Sequence, residues 1–338
     1  MAAVLVLGDA SMWGLVVAFQ PGCVRDLLPY MAIWRSTFLD LPVASCTSMG
    51  SVEYSWAQTL NTALAREDDR GRTAQRIVRH CPELFTTAAA NLAAARGLLD
   101  VLQALLVGDL LATTADALNE AAAQGHLDVV RFLHDHSPGG CTVRAMNGAA
   151  RNGHLEVVRF LHEHRNEGCT TVAMDYAAAN GHLDVVQFLH AHRREGCTTI
   201  AMDYAARQGH IAIVQFLHEH RDEGCTTDAM DGALLYNHLD VCRYLHEHRT
   251  EGCTPNALYA AAWEGNVANA RFLCETRGEP FRQDALDAAV SRGHVDMIAY
   301  LHSVWHADIS SLGALRNVAA SHAQHWLTRL ASSAKVGP

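Results

Sequence analysis

Histidine and cysteine recur together along this chain, and both are residues that could do chemistry. A typical copy places His162 and His164 two residues apart, with Gly168 and Cys169 shortly after them. Imidazole nitrogen and thiolate sulfur are preferred zinc ligands, and a Cys activated by a nearby His can act as a nucleophile. A metal-dependent enzyme is therefore one interpretation of these residues.

The spacing argues against a shared metal ion. Residues two apart on a helix point about 200° apart, so His162 and His164 cannot face one ion together. Equivalent residues of neighbouring helices stand roughly 8 to 10 Å apart, which is also too far for a disulfide. We therefore expect the first His of each copy, such as His154, to hydrogen-bond a turn, and the later ones to flank an apolar stripe. The cysteines are expected to be free thiols: Cys141, Cys169, Cys197, Cys225 and Cys253.

The elements that carry these residues follow a repeat of 28 residues. Glycines mark it at Gly97, Gly125, Gly153, Gly181, Gly209, Gly265 and Gly293, with Asn237 in the remaining slot. A Thr 11 residues before each turn, from Thr86 to Thr254, follows the same spacing, and Arg282 and Ser310 continue it. Nine repeats are predicted, from Thr86 to about Leu330. Every polar group that could do chemistry is repeated, and the sequence has no nucleotide-binding or hydrolase motif. We therefore expect a protein that is not an enzyme, with no catalytic residues, cofactor or metal.

Each repeat is predicted to form two short helices. Thr caps helix A, whose apolar positions fall on one stripe, as in Ala173, Met174, Ala177 and Ala178. Gly181 ends that helix, and helix B covers about Leu183 to His192. Such helices bury their apolar faces only against neighbouring repeats, so the predicted fold class is an all-α helical solenoid.

The segments "AARNGHLEVVRFLHEH" (149–164) and "AAANGHLDVVQFLHAH" (177–192) resemble ankyrin repeats. The usual T-P-L-H opening is absent, and each repeat is shorter than the usual ~33 residues. We expect the family's β-hairpin fingers to be reduced to tight Glu-Gly-Cys-Thr turns. The resemblance implies a non-enzymatic scaffold that binds a protein partner through helix A, on the concave face.

The predicted domains are a helical cap over residues 1–85, the repeats over 86–330 and a flexible tail over 331–338. The segment Phe19–Arg35 faintly resembles an F-box, so a substrate-receptor adaptor for ubiquitin ligation is the alternative function. The second alternative is the metal-dependent enzyme.

A partner is expected to contact positions that vary between repeats while the frame stays fixed. The outward side of helix A carries the third, sixth and tenth residues counted from the capping Thr, with two tyrosines beside them. For each Tyr, packing between helices is the competing interpretation, whereas Leu235 and Trp263 are expected to be exposed. The row of aspartates either contacts the partner or only solvates the surface. The candidate residues are Arg144, Arg151, Val172, Asp175, Tyr176, Ile200, Asp203, Tyr204, Arg207, Asp231, Leu235, Tyr259 and Trp263.

Composition limits the other function classes. A hydrophobic fraction of 49%, with 18% charged residues, is typical of an ordered soluble protein. A formal net charge of -10 disfavours nucleic-acid binding. No segment looks like a signal peptide or a membrane helix, so we expect a cytoplasmic monomer, with the nucleus as an alternative location.

Overall fold

The computed structural model describes residues 70–80, 85–137, 139–280 and 282–305, which divide into two compact units, residues 1–173 and 174–338. Within this described part, the regular elements are all helices. The F-box-like segment Phe19–Arg35, the tail 331–338 and the repeat after Ser310 lie outside the described residues.

The first unit contains seven described helices. They are α1 (Arg70–His80), α2 (Thr87–Ala95), α3 (Leu99–Val107), α4 (Ala115–Ala123), α5 (Leu127–His136), α6 (Val143–Arg151) and α7 (Leu155–His164). From α2 onward, helix A and helix B alternate as the sequence predicts. Helix α1 packs against α3, so helical packing begins before Thr86. The boundary between a cap and the repeats remains a prediction.

The second unit continues the alternation. Helix α8 (Thr171–Ala179) spans the boundary between the two units, and the later helices are α9 (Leu183–His192), α10 (Thr199–Arg207), α11 (Ile211–His220), α12 (Thr227–Leu235), α13 (Leu239–His248), α14 (Asn256–Glu264), α15 (Val267–Arg271), α16 (Gln283–Arg292) and α17 (Val295–Trp305). A π-helical turn, Phe272–Thr276, continues α15. The predicted all-α repeat architecture is confirmed in each unit.

The Thr residues cap helix A as predicted. In α10, the Thr198 hydroxyl accepts a hydrogen bond from the Ile200 N–H at 3.3 Å, and Thr226 does the same for Asp228 in α12 at 3.1 Å. Such a cap satisfies a helix N–H that has no partner within the helix. The repeating Thr therefore marks where these helices A begin, whereas α16 begins after Arg282, which makes no side-chain cap.

The turn glycines satisfy two requirements. Gly125 has φ +81°, which L-residues with a side chain rarely adopt. A Cβ at this position would also lie 2.5 Å from Nδ1 of His154, the first His of the next repeat. The prediction that this class of His hydrogen-bonds a turn is confirmed at His294, whose Nε2 lies 2.9 Å from the Trp263 carbonyl oxygen.

The core of each unit consists of small helix A residues and branched helix B residues. Ala177 and Ala205 are completely buried, as are Val186 and Val214, and Leu189 is 1% exposed. Small residues let neighbouring helices A approach closely, and α4 packs against α6 in the first unit as α10 packs against α12 in the second. This packing fixes the position of the outward side of helix A within each unit.

None of the helices in the described ranges is long and apolar enough to cross a membrane.

Candidate functional site

The outward side of helix A in the second unit exposes large apolar side chains. These residues were predicted from the sequence, and the structure places them on helices A of successive repeats, in α10, α12 and α14. Their exposed fractions lie between 38% and 46%. They are Ile200, Tyr204, Leu235, Tyr259 and Trp263.

A cleft of about 390 Å³ lies along three of these helices. Tyr204 and Leu235 supply its large apolar side chains, and its charged lining is three aspartates and one arginine: Asp203, Asp228, Asp231 and Arg207. Gly232, in the middle of α12, also lines the cleft. The cleft therefore combines exposed apolar surface with excess negative charge.

Arg207 is exposed and is oriented by an aromatic residue of the next repeat. It donates a hydrogen bond to the Tyr236 hydroxyl at 3.0 Å, and its guanidinium carbon lies 5.2 Å from the centre of that ring. Tyr236 is 49% exposed, and our sequence reasoning missed it. It occupies a slot filled by Asn180, Gln208 and Glu264 in neighbouring repeats, and that change from polar to aromatic could have identified it.

Trp263 extends this surface on α14. Its ring lies 6.1 Å from the Tyr259 ring, in a nearly parallel orientation. The guanidinium carbon of Arg292, a second residue missed from the sequence, lies 4.8 Å from the centre of the Trp263 ring. We call Tyr204, Arg207, Leu235, Tyr259 and Trp263 the aromatic face.

The aspartates lie elsewhere than predicted. Asp175 and Asp203 are buried, at 4% and 6% exposure, so the expectation that they project outward is wrong. The Thr226 N–H donates to Asp203 Oδ1 at 2.7 Å, and the Thr226 hydroxyl donates to Oδ2 at 2.9 Å. Asp175 binds Thr198 in the same way. A helical wheel treats one helix alone and therefore misses the backbone of the next repeat that covers these carboxylates.

Asp231 is half-buried and holds Thr254 through the same two contacts, at 2.8 and 2.5 Å. Burial raises the pKa of both Asp203 and Asp231 above the ordinary value, because desolvation penalises the charged form. The hydrogen bonds from Thr lower the pKa and oppose this effect.

Comparison with known proteins identifies the repeat. The family described as "Ankyrin repeats (3 copies)" matches in overlapping stretches, residues 90–168, 118–197, 146–231, 174–256 and 202–284. The chain belongs to the ankyrin-repeat family. No curated protein matches it. Ankyrin repeats are protein-interaction modules, so a scaffold role in protein binding follows in general terms.

The ankyrin helices of the first unit carry the remaining candidates. Arg144 is exposed and lies 3.2 Å from Asp116 and 3.5 Å from Glu120 of the preceding repeat. Exposed ion pairs of this kind contribute at most about 1 kcal/mol. Arg151 is also exposed, and Val172 is 41% exposed. Tyr176, at the start of the second unit, is half-buried.

The histidines form contacts that the sequence reasoning did not consider. His190 meets His220 of the next repeat with ring centres 5.7 Å apart, and its edge also meets Phe216 at 5.5 Å. Nδ1 of His220 lies 2.9 Å from the Phe216 carbonyl oxygen. The two rings in contact are the second His of one repeat and the third His of the next. The spacing between equivalent positions of neighbouring repeats does not predict such a contact. In the described residues, no group of three or more His, Cys, Asp or Glu side chains could hold a metal ion.

The repeated cysteines, Cys141, Cys169, Cys197, Cys225 and Cys253, lie in the connections between repeats, whereas Cys242 lies in α13 and Cys274 in the π-helical turn. Arg221 and Glu223 lie near Cys197 and contribute opposing charges to it. Desolvation raises the pKa of Cys197 to about 11, and that of Cys225 equally. Both are thiols rather than reactive thiolates at neutral pH. The Glu-Gly-Cys-Thr segments contain a bend followed by irregular backbone, and the described residues there form no strand.

Proposed function

We propose that the second unit binds a protein partner through the aromatic face, Tyr204, Arg207, Leu235, Tyr259 and Trp263, together with Ile200. The partner is expected to lie along α10, α12 and α14, contacting more than one repeat. Arg144, Arg151 and Val172 are proposed as contacts on helix A of the first unit.

The observation that supports this proposal is the exposure of Leu235 and Trp263 in a slot that other repeats fill differently. The tenth position of helix A reads Arg151, Ala179 and Arg207 in the preceding repeats. The backbone of helix A is the same in each case, so the fold does not require an apolar side chain there. Clustered exposed apolar residues mark interaction surfaces, and aromatic and Arg residues are enriched at their energetic centres.

Site-specific photo-crosslinking in cells tests this function. A photoreactive phenylalanine analogue replaces Leu235 in the full chain, and in a matched control it replaces Gln215, an exposed residue of helix B in α11. We expect a discrete crosslinked partner from position 235 that is absent from position 215. The same partner should disappear when Trp263→Ala is added to the Leu235 probe. Equal crosslinking from both positions would contradict the proposed face.

A further inference from the structure

The sixth position of helix A changes chemistry between the two units. In the first unit it is Asn91, Asn119 and Asn147, and in the second it is Asp175, Asp203 and Asp231, followed by Tyr259 and Asp287. The three Asn and the first three Asp accept a hydrogen bond from the backbone N–H of the next repeat's Thr, at distances from 2.7 to 3.1 Å. The fold therefore obtains the same contact from an amide as from a carboxylate.

The amide serves the fold as well as the carboxylate does. Nδ2 of Asn147 donates to the Thr170 hydroxyl at 2.9 Å, while its Oδ1 accepts from the Thr170 N–H at 3.0 Å. A carboxylate at this position must also be desolvated, which costs free energy that the neutral amide avoids. For Asp203, the nearby charge of Asp228 adds to that cost. The negative charge of the second unit is thus not explained by the packing of its repeats.

The location of this charge indicates its use. Asp203 and Asp231 line the cleft between Tyr204 and Leu235, and Asp228, which is exposed, lines it with them. Arg207 is the cation among the cleft's lining residues; it donates to the neutral Tyr236 hydroxyl and keeps its charge, so three carboxylates face one cation in the lining. Asp203 and Asp231 already accept hydrogen bonds from Thr226 and Thr254, but a purely apolar occupant would bury the exposed Asp228 carboxylate, and an acidic occupant would add repulsion.

We propose that the cleft binds a cationic side chain, arginine or lysine, of the protein partner, with the aromatic face contacting apolar residues beside it. This inference rests on the proposed function of that face. The exposed Asp228 can contact the cation directly, and the charges of the buried Asp203 and half-buried Asp231 add to the attraction, while the Tyr204 ring offers a surface for cation–π contact. The long stem of the cationic side chain packs against Leu235. Electrostatic complementarity of this kind sets the partner's orientation and its rate of association.

Selection from a phage-displayed library of random peptides on the full chain tests the inference without a known partner. We expect enriched peptides to carry Arg or Lys beside a large apolar residue, and to lose binding on Leu235→Ala. Replacing that basic residue by Gln should weaken binding about tenfold or more. Exchanging Arg for Lys in the peptide distinguishes the two cations. Raising the salt concentration should also weaken binding, because the charges are partly exposed.

A charge-neutral protein variant provides the decisive comparison. Asp203→Asn, Asp228→Asn and Asp231→Asn together should bind the selected peptides about tenfold more weakly, with circular dichroism and melting temperature retained. The matched control makes the same change at Asp184, Asp222 and Asp240, which are exposed outside the cleft. It removes equal charge and should bind as the wild type does. Asp228→Asn alone, at an exposed residue, tests the charge with the buried aspartates intact.

The outcomes separate the two proposals. Peptides that depend on Leu235 but bind the charge-neutral variant as tightly as wild type would overturn the cationic anchor and leave the aromatic face as the binding surface. Equal weakening by the control triplet would overturn the anchor too, because it would show an effect of net charge alone. Failure to obtain any peptide whose binding depends on Leu235 would overturn both proposals.

Discussion

Asn266 donates a hydrogen bond from Nδ2 to Asn237 Oδ1 at 2.7 Å, at the repeat where both turn residues differ from their neighbours. Elsewhere in the second unit the corresponding pairs are Gly and His, as at Gly265 and His294. A Cβ at Gly265 would lie 2.6 Å from the His294 ring. Asn237 has such a Cβ, with φ +65°, and the shorter Asn266 side chain makes room for it.

This pairing predicts strong coupling between the two positions. Asn266→His alone should lower the free energy of unfolding by ~1 to 3 kcal/mol, because the ring would collide with Asn237. Adding Asn237→Gly should restore the part of that loss due to the collision, since it recreates the pair found in other repeats, but not the part due to the lost Asn266 cap of α15, whose Oδ1 accepts from the Asn269 N–H at 3.1 Å. Urea denaturation of both single variants and the double variant measures the coupling energy, for which we expect ~0.5 to 3 kcal/mol. Purely additive effects would show that the contact is incidental.

Leu189 tests the helix B core. Leu189→Ala should cost ~2 to 5 kcal/mol, because the residue is 1% exposed and its removal leaves a cavity. Gln187→Ala, two residues earlier on the exposed side of the same helix, is the control and should change the stability by less than about 0.5 kcal/mol. Thermal and urea denaturation of both variants measure the difference. An unchanged melt for Leu189→Ala would mean that α9 buries another side.

The sixth position of helix A yields opposite expectations for two substitutions. Asp203→Ala should destabilise by ~1 to 3 kcal/mol, because it leaves the Thr226 N–H without its acceptor. Asp203→Asn should match or exceed wild-type stability at neutral pH, because burial raises the pKa of Asp203 and an uncharged amide avoids that desolvation. Denaturation at fixed pH ranks the three proteins. A loss with Asn as large as that with Ala would show that the charge itself holds the repeats together.

The repeat frame could be predicted from the sequence because its signals are local. Thr198 caps its own helix, and Gly181 has the positive φ that its turn requires, whatever the partner repeat does. The exposure of Leu235 and Trp263 could also be predicted, because a helix A position whose residue type varies between repeats of constant spacing faces outward. The burial of Asp203 could not be read from a wheel, because the Thr226 backbone that covers it belongs to the next repeat. The contact between His190 and His220 was missed for the same reason.

Acidification should weaken the second unit through its histidines. Burial lowers the pKa of His190, with Arg221 and His220 adding to the effect, and burial also lowers the pKa of His210, beside His182 and His238. A folded-state pKa below the ordinary 6.5 means that the unfolded chain binds more protons. The stabilising contribution of each neutral imidazole is therefore fully present above pH 6.5 and is lost as the pH falls toward the folded-state value.

Urea midpoints measured from about pH 7.5 down to about pH 5.5 test this sign in the Asp203→Asn, Asp231→Asn variant, because ordinary carboxylates stay largely ionised over that range and the two aspartates with a raised pKa are removed. His190→Leu removes one of the titrating groups and should flatten the decline. Its Nδ1 is buried without a hydrogen-bond partner, so the loss of polar contacts on substitution is small. Stability that rises on acidification would contradict the direction of these shifts.

The aromatic face should affect binding more than folding. Tyr204→Ala with Trp263→Ala should weaken a protein partner by ~2 kcal/mol or more if both are hot spots. Their exposed fractions, 40% and 38%, predict only a small change in the melt. Calorimetry with the partner identified by crosslinking measures the effect on binding, and a thermal melt measures the effect on folding. A collapsed melt, with binding retained by the protein that remains folded, would assign these rings to the core.

The exchange of Asn for Asp at the sixth position of helix A separates the electrostatics of this array from its architecture. Asn and Asp codons differ by a single base, and either residue satisfies the Thr of the following repeat. Point mutations could therefore change the charge of the cleft one repeat at a time while the backbone stays the same. The protein could then acquire new binding partners without passing through variants that fail to fold. This is an evolutionary advantage of a structural contact that a neutral or a charged residue can make equally well.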